Sequence, residues 1–365
     1  MTDLTSAEGY ARALAFAEQQ LAQWLDKHPD QFPIVSNTGL WCGRSADDSA
    51  AGDEFLVGLM WELYRETDKE CWLKNAQHYG KLLEESSKES PQTTVPTFLY
   101  SHLPWFEVTK DRDRRAVTFQ AAAELAARFH HKGRFLSTVD CSDELSMRGM
   151  MEVPVMFYAA NETLDQDMAR HATAHCRTTR SKLLAEDGAA RHSRMFDVAA
   201  GKFDEGNDPE SASAESCQSR DVALALLGFS QVYGLTNAAE FLKVAERCAE
   251  YWLAHVPPDH VPFTHMPAGD ESMPSDVQRD VTSGAVAACT LLELAEQSRV
   301  AEHAAAYRST GLAMLDVLAQ PPYLALKTQE GEGILRREGY AASENGVCGD
   351  FFFVKGLRLG QVQRG

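Results

Sequence analysis

The chain is poor in basic residues: 35 Lys and Arg stand against 53 Asp and Glu, a formal net charge of −18 over 365 residues. That deficit excludes a sequence-independent binder of nucleic acid, which needs basic stripes to displace counterions, and an anionic membrane surface. Small anionic substrates stay open, because a few arginines reverse the field inside a cleft. Long apolar runs are also missing. VALALLGF (222–229) is among the longest, well short of the ~18 residues that suggest a membrane span. The first residues are acidic and carry no apolar segment, so a secretory signal is not expected. The eight cysteines, at 42, 71, 141, 176, 217, 248, 289 and 348, include no CxxC pair. We therefore expect a cytoplasmic protein with reduced thiols, no disulfide framework, no metal and no other cofactor.

Strand-like alternation is nearly absent, with RHSRMFDVAAGKF (191–203) the one segment that reads as a short hairpin. What is present is helical periodicity. Apolar residues recur at helical spacing over Leu4–Leu25, Glu54–Thr67, Trp72–Leu83, Phe98–Val108, Arg112–Phe129 and Ser146–Ala160. The pattern resumes over Asp165–Leu184, Ser219–Tyr233, Ala238–His255, Val281–Gln297, Ala301–Leu318 and Asp350–Leu359. These segments fall into six consecutive pairs with no Pro/Ser linker between them, so residues 1–365 are expected to form one domain. Paired helices stack because one pair cannot bury its apolar face alone. Six pairs closing on themselves make an all-α (α/α)6 barrel; an open solenoid is the alternative, but no fixed repeat period supports it.

Asp53, His102, Arg148, Arg220, Asp280 and Asp350 lie at or near the starts of the second helices of these pairs. Converging helix N-termini present N–H groups and a positive dipole end, a good setting for a carboxylate. The three aspartates read equally well as N-caps. His171 and His175, four residues apart on a first helix of a pair, read as a solvated face rather than a metal site. The acidic segment 204–210 (DEGNDPE) lacks the spacing of a calcium loop and reads as a rim or lid.

Several stretches resemble glycoside hydrolase family 88, the unsaturated glucuronyl hydrolases. They are GLMWELYRETDKECWLKNA (58–76), MMEVPVMFYAANETLDQ (150–166), HSRMFDVAAGK (192–202), SRDVALALLGFSQVYG (219–234), HVPPDHVPF (255–263), RDVTSGAVAACTLLELA (279–295) and GDFFFVKGLRL (349–359). The resemblance implies a single (α/α)6 barrel. It also implies action on the unsaturated uronic acid at the non-reducing end of an oligosaccharide, by hydration of its C4=C5 bond. The oligomeric state is left open.

The departures matter as much. Where the family carries His-Asp-(Leu/Ile)-Gly-Phe, this chain has Ser101-His102-Leu103-Pro104-Trp105, so His102 replaces one catalytic aspartate. Arg148 replaces the other, ahead of Met150-Met151-Glu152-Val153-Pro154. The family's Trp-Thr-Arg-Gly-Gln-Ala-Trp motif has become Gln218-Ser219-Arg220-Asp221-Val222-Ala223-Leu224, which keeps only the arginine and the alanine. Arginine cannot donate a catalytic proton near neutral pH, but its fork pairs with a carboxylate. Neutralising a uronate acidifies its C5 proton, and a histidine is suited to remove it. The leading expectation is therefore β-elimination, as in a uronate dehydratase or lyase. His102, Arg148, His192 and Tyr100 are the catalytic candidates, and Arg220, Trp105, Glu152 and His265 the substrate-binding ones. A hydrolase with reassigned acid–base residues and a non-catalytic sugar binder are the alternatives. Arg148 pairing with Glu144 or Glu152, and Tyr100 and Trp105 as plain packing, are the competing structural readings.

Overall fold

The computed structural model describes residues 7–35, 41–45, 52–89, 97–138, 141–204, 216–267, 278–325, 333–336 and 346–364. Residues 205–210 of the acidic segment lie outside them. The helices follow the periodicity closely. In chain order they are α1 (Ala7–Lys27), α2 (Asp53–Thr67), α3 (Glu70–Glu89), α4 (Thr97–Tyr100), α5 (His102–Thr109), α6 (Arg112–Ala127) and α7 (Gly149–Glu152). There follow α8 (Pro154–Thr163), α9 (Gln166–Leu183), α10 (Ser219–Thr236), α11 (Ala239–His255), α12 (Val281–Gln297), α13 (Ala301–Leu318) and α14 (Gly346–Arg364). Two expected helices are divided. The first breaks at Ser101. The second breaks before Pro154, whose ring removes an N–H and clashes with the preceding turn.

Burial separates an inner ring from an outer one. In α2 every residue from Asp53 to Leu63 is buried, and in α12 thirteen of the seventeen are. Outer α9 instead buries one stripe, as an amphipathic helix covering a core does. Contacts run from α2 to α4, α8, α10, α12, α14 and back to α2, which closes the ring as an (α/α)6 barrel. Inner helices run parallel. The Ser219 hydroxyl at the start of α10 donates to Asp280 at the start of α12 (3.1 Å), while Asn161 near the end of α8 donates to the Leu235 carbonyl near the end of α10 (2.8 Å). The inner N-termini therefore gather at one end, here called the mouth.

Close approach depends on small residues. A Cβ on Gly228 of α10 would sit 2.4 Å from the Met150 carbonyl oxygen, so only glycine allows this crossing. The hairpin expected at 191–203 forms between Ser193–Asp197 and Lys202–Phe203. Its first strand also pairs with Glu144–Ser146. Three further pairs that alternation did not reveal, 31–35 with 41–45, 129–130 with 135–136 and 216–218 with 265–267, add to this short strand structure. The reading of His171 and His175 as a solvated face is corrected. His175 is fully buried and accepts from the Leu136 N–H (3.1 Å), and His171 stacks on Phe129. Burial pushes the His175 imidazole down to about 3, so it stays neutral. Among the described residues no helix is long and apolar enough to cross a membrane.

Gly228→Ala should destabilise the fold by about 1–3 kcal/mol, the cost of overpacking against backbone. Gly234→Ala, on the same helix but facing only the Gln297 side chain at 3.4 Å, should be neutral or stabilising. Chemical denaturation of the two variants checks the contrast.

Candidate active site

Three strand and helix ends build the mouth. The Met147 N–H donates to the His192 carbonyl (2.8 Å), which continues the pairing of Glu144–Ser146 and sets Arg148 beside the strand that carries His192. Arg148 extends into solvent with 41% of its side chain exposed, and its Nε lies 3.8 Å from Glu152 on the same helical turn. Glu152 is held more closely by Arg128 (2.8 Å), so Arg148 is not consumed by this pairing. Ser219, Arg220 and Asp221 form the first turn of α10, and the Ser219 N–H donates to the Thr264 carbonyl. His265 lies opposite Gln218 in the adjoining strand pair, its Nδ1 3.2 Å from the Thr264 hydroxyl.

His192 and Arg220 meet directly. The Arg220 Nη2 and the Asp221 Oδ1 are each 3.1 Å from the His192 Nδ1. Asp221 stands where the family motif has glycine, and the sequence reading passed over it. Its signal was nonetheless in the chain, as a carboxylate newly placed beside the retained arginine.

A second carboxylate that the sequence reading missed is Glu54, 2% exposed in the first turn of α2, accepting from the Gly52 N–H at 2.9 Å. Burial pushes its carboxyl up to about 7. Asp53 adds to the rise, while Arg148 and the backbone N–H groups oppose it. Beside it, Asp53 takes both oxygens' worth of Arg44 (2.5 Å each), an ion pair rather than a cap, because Gly52 is the N-cap. Asp280 does cap α12 through the Ser283 N–H, and Asp350 accepts from the Leu335 N–H within the core.

The other candidates lie elsewhere. His102 is fully buried: its Nδ1 is 3.0 Å from the Ser101 hydroxyl and its Nε2 3.7 Å from Glu84, which also pairs with Arg114. Burial lowers the affinity of His102 for a proton, with Glu84 pulling the other way. The contact with His102 and the Arg114 guanidinium hold the Glu84 carboxyl down at about 2. Trp105 is buried against His102 and Trp61 with Arg114 over its ring, so it is wall packing rather than a sugar platform. Tyr100 is buried beside Phe55, Phe351 and Phe352. Its hydroxyl accepts from Gln231 (3.1 Å) and faces a cavity of about 300 Å³ lined also by Glu62, Arg65 and Lys355, toward the opposite end of the barrel. The structure therefore brings together Arg148, Glu152, His192, Arg220 and His265 at the mouth, and separates His102, Trp105 and Tyr100 from them. Among the described residues no three His, Cys, Asp or Glu side chains gather as a metal cluster.

Because the folded-state value of Glu54 lies above its ordinary 4.5, the native state holds the extra proton between about pH 4.5 and 7. Stability should fall as pH rises through that window, by on the order of 3 kcal/mol. Glu54→Gln should remove this slope, which thermal melts from pH 4.5 to 8 would reveal.

No family model matches the chain. It is 26% identical over 358 residues to the unsaturated glucuronyl hydrolase of Bacillus sp. strain GL1, covering 92% of each chain. It is 23% identical to an unsaturated chondroitin disaccharide hydrolase of Streptococcus pneumoniae, covering 89% of this chain and 83% of that one. The crystal structure of the Bacillus sp. GL1 unsaturated glucuronyl hydrolase superimposes with a TM-score of 0.85 at 22% identity, covering 95% and 96% of the two chains. The chain is thus a divergent, low-identity relative of the unsaturated glucuronyl hydrolases that shares their (α/α)6 fold.

Proposed function

We propose that this protein hydrolyses unsaturated uronides, with the acid–base work of the two replaced aspartates taken over by His192. Its substrate is an oligosaccharide ending in a 4,5-unsaturated uronic acid, the class named in its relatives. The observation that carries the reading is the convergence of Arg148, Arg220 and His192 at the mouth. Two guanidinium groups and the inner helix N-termini suit the uronate carboxylate. Glu152 and His265, two further expected binding residues, lie at the same end. The scattered cysteines support a cytoplasmic setting.

The step runs as a hydration. The protonated His192 imidazole gives its proton to C4 while water adds to C5 and returns a proton to the ring. The C4=C5 π bond is consumed and a C5 hemiketal forms. Opening of the hemiketal exposes a C1 hemiacetal, which releases the neighbouring sugar as an alcohol; one water is consumed overall. The elimination reading cast His102, together with His192, as base, and the burial of the His102 ring between Ser101, Trp105 and Glu84 counts against the first of them. Elimination with His192 as base remains an outcome of the same test.

The conjugated C4=C5 bond absorbs in the ultraviolet. Absorbance of unsaturated glucuronyl or chondroitin disaccharides should fall with wild-type protein, and His192→Ala should slow the fall by about 10²–10⁴-fold. A signal rising from saturated uronides would replace hydrolysis with elimination. No change with either substrate would leave a sugar binder. His102→Ala should instead cost about 1–3 kcal/mol of stability, through the contacts left unmade in the wall, with turnover retained.

A further inference from the structure

We infer that Asp221 is the positioning residue of this site, holding the His192 imidazole with Nδ1–H turned inward so that Nε2 exchanges protons with substrate and water. The inference rests on the hydrolase reading for its chemistry but on geometry for its substance. Asp221 is 1% exposed, and its Oδ1 lies 3.1 Å from the Nδ1 of a histidine whose side chain is one-quarter exposed. The Arg220 Nη2 lies at the same 3.1 Å from that nitrogen, and the Arg220 Nε lies 3.7 Å from Asp221.

These contacts compete. A ring nitrogen either carries a hydrogen and donates, or carries a lone pair and accepts. An ionised Asp221 can only accept and Arg220 can only donate, so Nδ1 serves one of them at a time. A buried carboxylate demands a donor, and the imidazole N–H is within reach. Arg220, with 45% of its side chain exposed, can instead turn to the uronate carboxylate. Substrate binding then removes the competitor and leaves the Asp221–His192 pair intact. This is the arrangement in which a carboxylate fixes the tautomer of a catalytic imidazole and stabilises its protonated form.

The competing account makes Asp221 an acidic residue favouring the α10 N-terminus and nothing more. Among the described residues, Asp221 sets its carboxylate and Arg220 its guanidinium against the His192 ring, and Arg148 follows the residue whose N–H meets the His192 carbonyl. A helix-end role alone would leave kcat and its pH profile unchanged when Asp221 is replaced by its isostere.

The test uses the full chain with ¹⁵N-labelled histidine, the His192 signals being assigned by their loss in His192→Ala. In wild type the neutral ring should be the Nδ1–H tautomer. In Asp221→Asn its titration midpoint should fall by about one pH unit, and Asp221→Glu should hold it near wild type. On unsaturated disaccharides, Asp221→Asn should lower kcat by about 10–100-fold with little change in KM, and its pH profile should move down with the titration. A wild-type Nε2–H tautomer, or an unchanged titration in folded Asp221→Asn, overturns the inference. If wild type fails to turn over any unsaturated uronide, the hydrolase reading falls while the titration still decides the role of Asp221. The wild-type tautomer is read without Asp221→Asn having to fold.

Discussion

Closure of the inner ring is the constraint on which the rest depends. Six parallel positions around one axis can be filled only if neighbouring helices approach closely and bury nearly every face. Gly228 against the Met150 carbonyl and Gly58 against the Tyr100 carbonyl mark where inner backbones meet, and Gly311 lets outer α13 approach the Ala288 carbonyl of α12. The Ala-rich stretch of α12 serves the same need. Because the helices run parallel, closure also concentrates their unsatisfied N–H ends at the mouth. An anionic ligand there meets a field that the acidic surface does not display.

That field explains how a chain of net charge −18 can hold an arginine-rich site. At the mouth Arg44 pairs with Asp53 and Arg128 with Glu152, while Arg148 near Glu152 and Arg220 near Asp221 keep 41% and 45% of their side chains exposed. The charges of the opposite end are closed among themselves: Glu62 binds Arg65 and Arg358, and Lys355 binds Glu293. Burying charges in this way is tolerable only where each is paired. Cations half-exposed at the mouth, against charges closed among themselves at the other end, give the barrel its polarity.

Carboxylates moved rather than vanished. The positions at which the sequence resemblance places the family's two aspartates are filled here by a histidine built into the wall and an arginine at the mouth. Glu54 and Asp221 supply acidic groups on other helices, one beside Arg148 and one against His192. The chemistry of such a site follows from which group faces which. Replacement residues read one position at a time do not reveal it.

The sequence by itself determined the helix pairs and their order, because 3.6-residue periodicity is a local property that survives into the fold. It also singled out Arg148, His192 and Arg220 as candidates, whose positions near strand and helix starts are set by short-range pattern. Only tertiary structure decided where His102 points, since a ring at a helix start can turn to the mouth or to the wall, and packing against Trp105 and Glu84 chose the wall. The same holds for Tyr100, drawn toward the far cavity by Gln231, and for Asp221, whose meaning lies in a histidine 29 residues earlier. Such pairings depend on distances between elements that no single helix or strand encodes.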